Sequence, residues 1–91
     1  MKYVKIRWLH SLNDTPVLLY SELNRDLWEV RKVEVYADGQ MDFADQSERS
    51  GSTSLSIEPL PPLEEIAANP EFKPSTISAA EFETLWELAR A

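Results

Sequence analysis

"WEVRKVEVYADG", residues 28–39, runs into "QMDF", residues 40–43. Valines and aromatics around an Asp-Gly pair are the composition of a β-ribbon closed by a tight turn. Which side chains share a face depends on the length of that turn. A two-residue loop at Asp38 and Gly39 sets Val35 against Asp42 and Glu34 against Phe43, mixing apolar and charged groups on both sides. A three-residue loop of Ala37, Asp38 and a left-handed Gly39 pairs Val35 with Met41 and Val33 with Phe43. The second register gathers four apolar side chains on one face and is the expected one. Glu34, Tyr36 and Asp42 then share the opposite face.

Upstream the alternation slips. Trp28 and Val30 are on the even phase, Val33 and Val35 on the odd. A bulge at Arg31-Lys32 would return all four to the core side. Bulges also aim functional side chains, which makes Arg31 and Lys32 candidates for binding.

Working outward, "KYVKIRWLH" at residues 2–10 alternates Val4, Ile6 and Trp8 with Lys5 and Arg7, the period of a half-buried strand. Pro16 opens a second apolar run, "PVLLYSEL", at a position where its missing N–H does least harm. Strands are expected over 3–9, 17–21, 28–36 and 40–44, with a short edge strand around Leu55 to Ile57. "DQSERSGSTS", residues 45–54, has no apolar anchor and reads as a mobile loop. It lacks the Gly and Lys spacing of a phosphate-binding loop. "LEEIAAN" suits a short helix before Pro70. The clearest element is "SAAEFETLWELARA", residues 78–91: Ser78 with Glu81 forms a capping box, and Phe82, Leu85, Trp86 and Ala89 form one apolar stripe. The fold class is α+β, an antiparallel four- to five-stranded sheet with the C-terminal helix on one face and a short helix before it.

Ninety-one residues support one core, so a single domain over 1–91 is expected. The absence of cysteine removes thiolate catalysis, Cys-ligated zinc and a disulfide framework. No basic segment followed by an apolar run opens the chain, and no apolar run approaches the ~20 residues of a membrane span. A cytoplasmic protein with no membrane association is expected. The net charge is −7, and residues 38–91 carry eleven acidic and three basic side chains. That half repels phosphate backbones, so the expected partner is a basic protein and not nucleic acid.

His10 is the sole histidine, which excludes a His-rich zinc site. At the end of strand 1 it is expected to face Glu22 if the first two strands form a hairpin. This pair marks an alternative small-ligand or hydrolytic pocket, although no nucleophile turn or oxyanion hole accompanies it. Glu64 with Glu65, and Glu81, Glu83 and Glu87, lack the partners of a dimetal site. Asp38, Asp42 and Asp45 lack the spacing of a calcium loop. No cofactor or metal is expected. Lys5 and Arg7 with Glu29, Glu34 and Asp42 are expected to form a charged sheet face, bordered by Tyr3 and Tyr36. The candidate partner-binding residues are therefore Tyr3, Arg7, Arg31, Lys32, Glu34 and Tyr36. A structural homo-oligomer joined at Leu55 and Ile57 is a further possibility.

The ordered set "VKIRWLH", "PVLLYSEL", "WEVRKVEVYADG", "LEEI", "PEF" and "ISAAEFETLWELA" resembles a family of small bacterial proteins classed as domain of unknown function 6881. The resemblance spans nearly the whole chain and implies a stand-alone single-domain protein, without an activity to transfer. In size, charge and compactness the chain is also similar to acidic α+β immunity proteins that neutralise bacterial toxins, which implies an immunity-like or adaptor role.

Overall fold

Short links and alternating strands lead this chain to pair neighbours in sequence as neighbours in space. The structure, a computed structural model, describes residues 1–51 and 53–91. Its strands are β1 (Lys2–Trp8), β2 (Leu18–Leu23), β3 (Glu29–Val35), β4 (Met41–Ala44) and β5 (Phe72–Thr76). The helices are α1 (Leu63–Ala67) and α2 (Ala79–Arg90). The sheet order is β4-β3-β2-β1-β5, with every adjacent pair antiparallel.

The Asp-Gly turn takes the expected three-residue form. Gly39 has φ +90°, its N–H donates to the Tyr36 carbonyl at 2.9 Å, and the Tyr36 N–H donates to Gln40 O at 2.9 Å. Val35 pairs with Met41 and Val33 with Phe43. The bulge falls earlier than Arg31-Lys32. Glu22 pairs with Arg31 and Leu23 with Glu29, leaving Val30 as the extra residue. Its placement sends Arg31 to the same face as Val33 and Val35 and sends Glu29 to the other. Trp28 is left 40% exposed instead of joining the core. Two carboxylates and a guanidinium gain partners this way, which outweighs burying one more indole.

Cross-strand register assigns the remaining side chains. Arg7, Leu18, Val35 and Met41 form one row across the sheet, and Lys5, Tyr20, Val33 and Phe43 the next. Tyr3, Glu22 and Arg31 complete that face. Val4, Ser21, Lys32 and Ala44 lie on the reverse, with Ile6, Leu19, Glu34 and Asp42. The expected charged face is thus divided: Lys5 and Arg7 lie on the α2 side, while Glu29, Glu34 and Asp42 lie behind it. Both sides carry buried residues, with Tyr20 and Val33 in front and Val4, Ile6 and Leu23 behind.

Helix α2 covers β3 and β4 on the first face. Ser78 caps it by accepting the Glu81 N–H at 3.1 Å, while the reciprocal half of the capping box is absent among the described residues. Phe82 and Trp86 enter a cluster with Tyr20 and Val33, bordered by Phe43, Leu85 and Ala89. Trp86 meets Phe43 edge to face, with centroids 5.5 Å apart.

The fifth strand is Phe72–Thr76; residues 55–57 form no strand, and Ile57 is 88% exposed. Pro74 pairs with Ile6 inside this edge strand. The Leu9 N–H to Glu71 O and Ile77 N–H to Tyr3 O bonds fix the alternation, so position 74 turns its nitrogen outward. Proline costs no ladder bond there and blunts the edge against further pairing. At the opposite edge, the Phe43 N–H donates to Ser50 Oγ and the Ser50 N–H to Phe43 O.

The stretch expected to be a mobile loop is anchored on β3 and β4 by polar contacts. Ser50 Oγ donates to Asp42 at 3.1 Å, Thr53 Oγ1 to Glu34, and the Ser56 N–H to Glu29 at 2.6 Å. Gly51 has φ +57°, and a Cβ there would stand 2.4 Å from the Asp42 carboxylate. Gly51→Ala is therefore expected to lower unfolding stability by about 1–3 kcal/mol, measured by urea denaturation. Gly39→Ala meets nothing within 4 Å and should cost less, from its φ alone.

Candidate functional site

The candidate binding residues separate into four environments. On the α2 face, Arg31 is clamped: its Nε donates to Glu22, and Nη1 and Nη2 donate to the two Glu83 oxygens at 2.8 Å each. Its guanidinium lies 5.0 Å from the Phe82 ring centroid and 5.1 Å from that of Trp86. Tyr3 donates to the second Glu22 oxygen at 3.0 Å and packs beside Phe82. Arg31 and Tyr3 therefore bind the helix to the sheet. Charge-assisted bonds of this forked geometry fix orientation as well as adding energy.

The same contacts shift ionisation. The Arg31 fork holds the Glu83 carboxyl below its ordinary value, with partial burial opposing. Arg31 is itself raised, first by Glu83 and then by Glu22. The Tyr3 hydroxyl is raised by its bond to Glu22, then by desolvation. Glu83 thus contributes stability that is present above its unfolded value near pH 4.5 and is lost as pH falls through the folded one. Tyr3 contributes stability present below pH 10.0 and lost at higher pH. Glu83→Gln is expected to flatten the acid limb of the unfolding midpoint against pH, and Tyr3→Phe the alkaline limb. Both are read by thermal melts across the pH range.

Behind the sheet, Lys32 lies between Glu29 and Glu34, with its Nζ 3.8 and 3.5 Å from their oxygens. Glu29 is 9% exposed and also accepts from Ser21 Oγ at 2.8 Å. Glu29 and Glu34 hold the 45–58 segment to β3, accepting from the Ser56 N–H and Thr53 Oγ1. Tyr36 is half-buried at the end of β3, where its N–H closes the turn.

His10 and Glu22 are not brought together. Antiparallel pairing sets Glu22 against Tyr3, whereas Arg7 faces Leu18, so His10 lies at the other end of the hairpin. The end of one strand meets the start of the next in such a pair. His10 Nδ1 accepts the Leu12 N–H at 3.0 Å, which makes Nε2 the protonated nitrogen, donating to Pro16 O at 2.7 Å. Both ring nitrogens are engaged in holding the β1–β2 turn.

Arg7 alone among the six candidate residues is exposed. Sequence reasoning missed the surfaces that the fold leaves open. One is a groove of about 310 Å³ between the rear of the sheet and α1. Ile6, Leu19 and Phe72 line it from the sheet, Leu60, Pro61 and Ile66 from the covering segment, with Glu65 and Asn69 beside them. Four glutamates, Glu58, Glu64, Glu65 and Glu71, and no Lys or Arg occur between residues 55 and 72. The sequence signal was this charge run interleaved with Leu60, Ile66 and Phe72, legible only once β5 is placed. Among the described residues no cluster of His, Asp and Glu has metal-site geometry, and no helix is long and apolar enough to cross a membrane.

Compared with known protein families, the chain matches over residues 2–91 a model described as a domain of unknown function, DUF6881, and it belongs to that family. No curated protein and no solved structure matches it.

Proposed function

We propose that this DUF6881 domain is a non-catalytic protein-recognition module, of immunity or adaptor type, that receives a basic segment of its partner in the groove between the sheet and α1. The observation that carries the reading is the groove's composition: an apolar lining from β1, β2, β5 and α1 beside Glu65, within a stretch, residues 55–72, that holds four glutamates and no Lys or Arg. Lys and Arg side chains suit such a site, because their aliphatic stems cover apolar surface while their charged ends reach the carboxylates. The acidic field of the second half would speed encounter, and the shaped apolar lining would select among basic partners. A non-catalytic role is supported by the use of His10, Glu22, Glu29 and Glu34 as internal hydrogen-bonding partners.

The test is retention of a partner from the native cell by the whole chain, followed by affinity measurement with that partner. Glu58→Lys combined with Glu65→Lys is expected to weaken binding at least tenfold, equivalent to about 1.4 kcal/mol, with the thermal midpoint nearly unchanged. Added salt should mainly slow association. Equal affinity in the double variant would remove the groove assignment. Substrate turnover abolished by His10→Ala would overturn the non-catalytic reading and favour a small-ligand or hydrolytic role. A concentration-dependent oligomer lost on Ile57→Asp would favour the structural homo-oligomer.

A further inference from the structure

On the opposite side of the sheet from that groove, α2 leaves the β1–β5 corner uncovered, and three cations stand there. Arg7 and Lys73 are direct cross-strand neighbours, and Lys5 is two residues along β1 on the same face. Arg7 and Lys73 are exposed and Lys5 is half-buried. Among the described residues none of the three has an ion pair or side-chain hydrogen bond, although the chain carries 16 Asp and Glu against 9 Lys and Arg. Glu71, the acid at the same end of β5, accepts from Trp8 Nε1 at 3.2 Å. Like charges placed directly opposite in a sheet destabilise it. An acidic chain that leaves these three cations without a carboxylate partner gains nothing in stability from the arrangement.

Lys5 and Arg7 border an open groove of about 510 Å³ that continues over Leu9, His10, Val17 and Leu18. The groove therefore has cations along one side and apolar surface beside them. We propose that this corner binds an extended acidic segment of a partner protein. Two residues of a strand advance about 6.8 Å, so carboxylates at alternate positions of an extended segment match the Lys5–Arg7 spacing, and Lys73, abreast of Arg7 across the strand pair, adds its charge at the second of them. Leu9 and Leu18 take apolar side chains next to them. A nucleic acid is disfavoured because three cations face a ligand with one charge per ~1.7 Å of duplex, against a protein of net charge −7. Main-chain pairing to β5 is disfavoured by the outward nitrogen of Pro74. Recognition here is by side chains on the open face. The proposal is independent of the α1 groove, which lies behind the sheet.

The experiment titrates the isotopically labelled whole chain at low salt with an end-capped octapeptide, Ser-Glu-Ser-Glu-Ser-Leu-Ser-Leu, whose Glu and Leu side chains share one face when it is extended, read by NMR. Shifts are expected at residues 5–9, 16–18 and 72–74. Affinity should fall at least fivefold in the Lys5→Gln, Arg7→Gln double variant and again with Lys73→Gln. The variants' thermal midpoints should equal or exceed that of the unmodified chain, because repulsion is relieved. Glu58→Lys with Glu65→Lys, behind the sheet, should not weaken peptide binding, so failure of the α1-groove reading and of this one are distinguishable. Absence of binding, affinity unaffected by the Gln substitutions, or midpoints lowered by them would overturn the proposal. Tighter binding of an eight-nucleotide thymidine strand to the same residues would overturn it in favour of nucleic acid.

Discussion

Trp86→Ala is expected to lower the unfolding free energy by about 3–5 kcal/mol, a large share of the ~5–15 kcal/mol that holds a domain folded. The indole is 7% exposed and closes the cluster formed with Tyr20, Val33 and Phe82. Its plane lies within 16° of the Phe82 ring and its edge meets Phe43. Two guanidinium groups flank it, Arg31 at 5.1 Å and Arg90 at 5.4 Å from the ring centroid. Truncation leaves a cavity where α2 meets β3 and β4, and removes the surface on which both cations rest. Urea denaturation should show a large fall in midpoint, and Trp86→Phe should recover part of it by filling some of the cavity. A midpoint unchanged in the Ala variant would show that the helix stripe contributes little to holding the fold.

That stripe was legible because a helix with one apolar side has a single way to bury it. Its observed span, Ala79–Arg90, begins directly after the expected cap, Ser78, and lies within the stretch 78–91 read as helix. The Asp-Gly hairpin was legible for a related reason, since a one-residue slip would reverse every side chain of the ribbon. Strand β1 shows where such reasoning stops. Its alternation was read correctly, but the face that α2 covers was assigned in reverse. The phase of β1 relative to β3 passes through β2, and β2 is apolar on both sides: Leu18 and Tyr20 point one way, Leu19 and Leu23 the other. A central strand buried on both faces carries no phase signal. Moving Lys5 and Arg7 to the α2 side dissolved the expected charged face and left three cations on an open corner.

The other misreadings concern polar groups. The 45–54 segment has no apolar anchor, yet Ser50 and Thr53 find acceptors in Asp42 and Glu34. Half-buried carboxylates with matched donors anchor a loop as apolar contacts do, and hydropathy does not register them. Strand β5 was missed because Pro74 interrupts it, although its nitrogen faces the open edge. The His10–Glu22 pairing failed on hairpin geometry alone. Arg31 was singled out for the bulge beside it, and the bulge does aim it, inward at Glu22, Glu83 and the aromatic cluster.

Arg31→Ala is accordingly expected to lower stability by about 3 kcal/mol, the lower end for breaking a buried ion pair, because the Arg31 side chain retains 22% exposure. The cause is the partner left behind. Glu22 is 8% exposed, and without the guanidinium its carboxylate keeps only the Tyr3 hydroxyl as a side-chain hydrogen-bond donor. Glu83 loses both of its bonds but is more exposed and regains water, so it contributes less to the loss. The origin of the effect is separable by a second substitution. Neutralising the stranded acid while refilling the guanidinium's volume, as in Arg31→Met with Glu22→Gln, should recover most of the stability lost in Arg31→Ala, since an apolar side chain can replace the cation between Phe82 and Trp86. Arg31→Met alone should remain well below the double variant at pH 7. Urea unfolding of the three variants at pH 7 measures this. A double variant no more stable than Arg31→Met would mean that the guanidinium's own contacts with the aromatic rings and Glu83 carry the effect and that the charge on Glu22 does not.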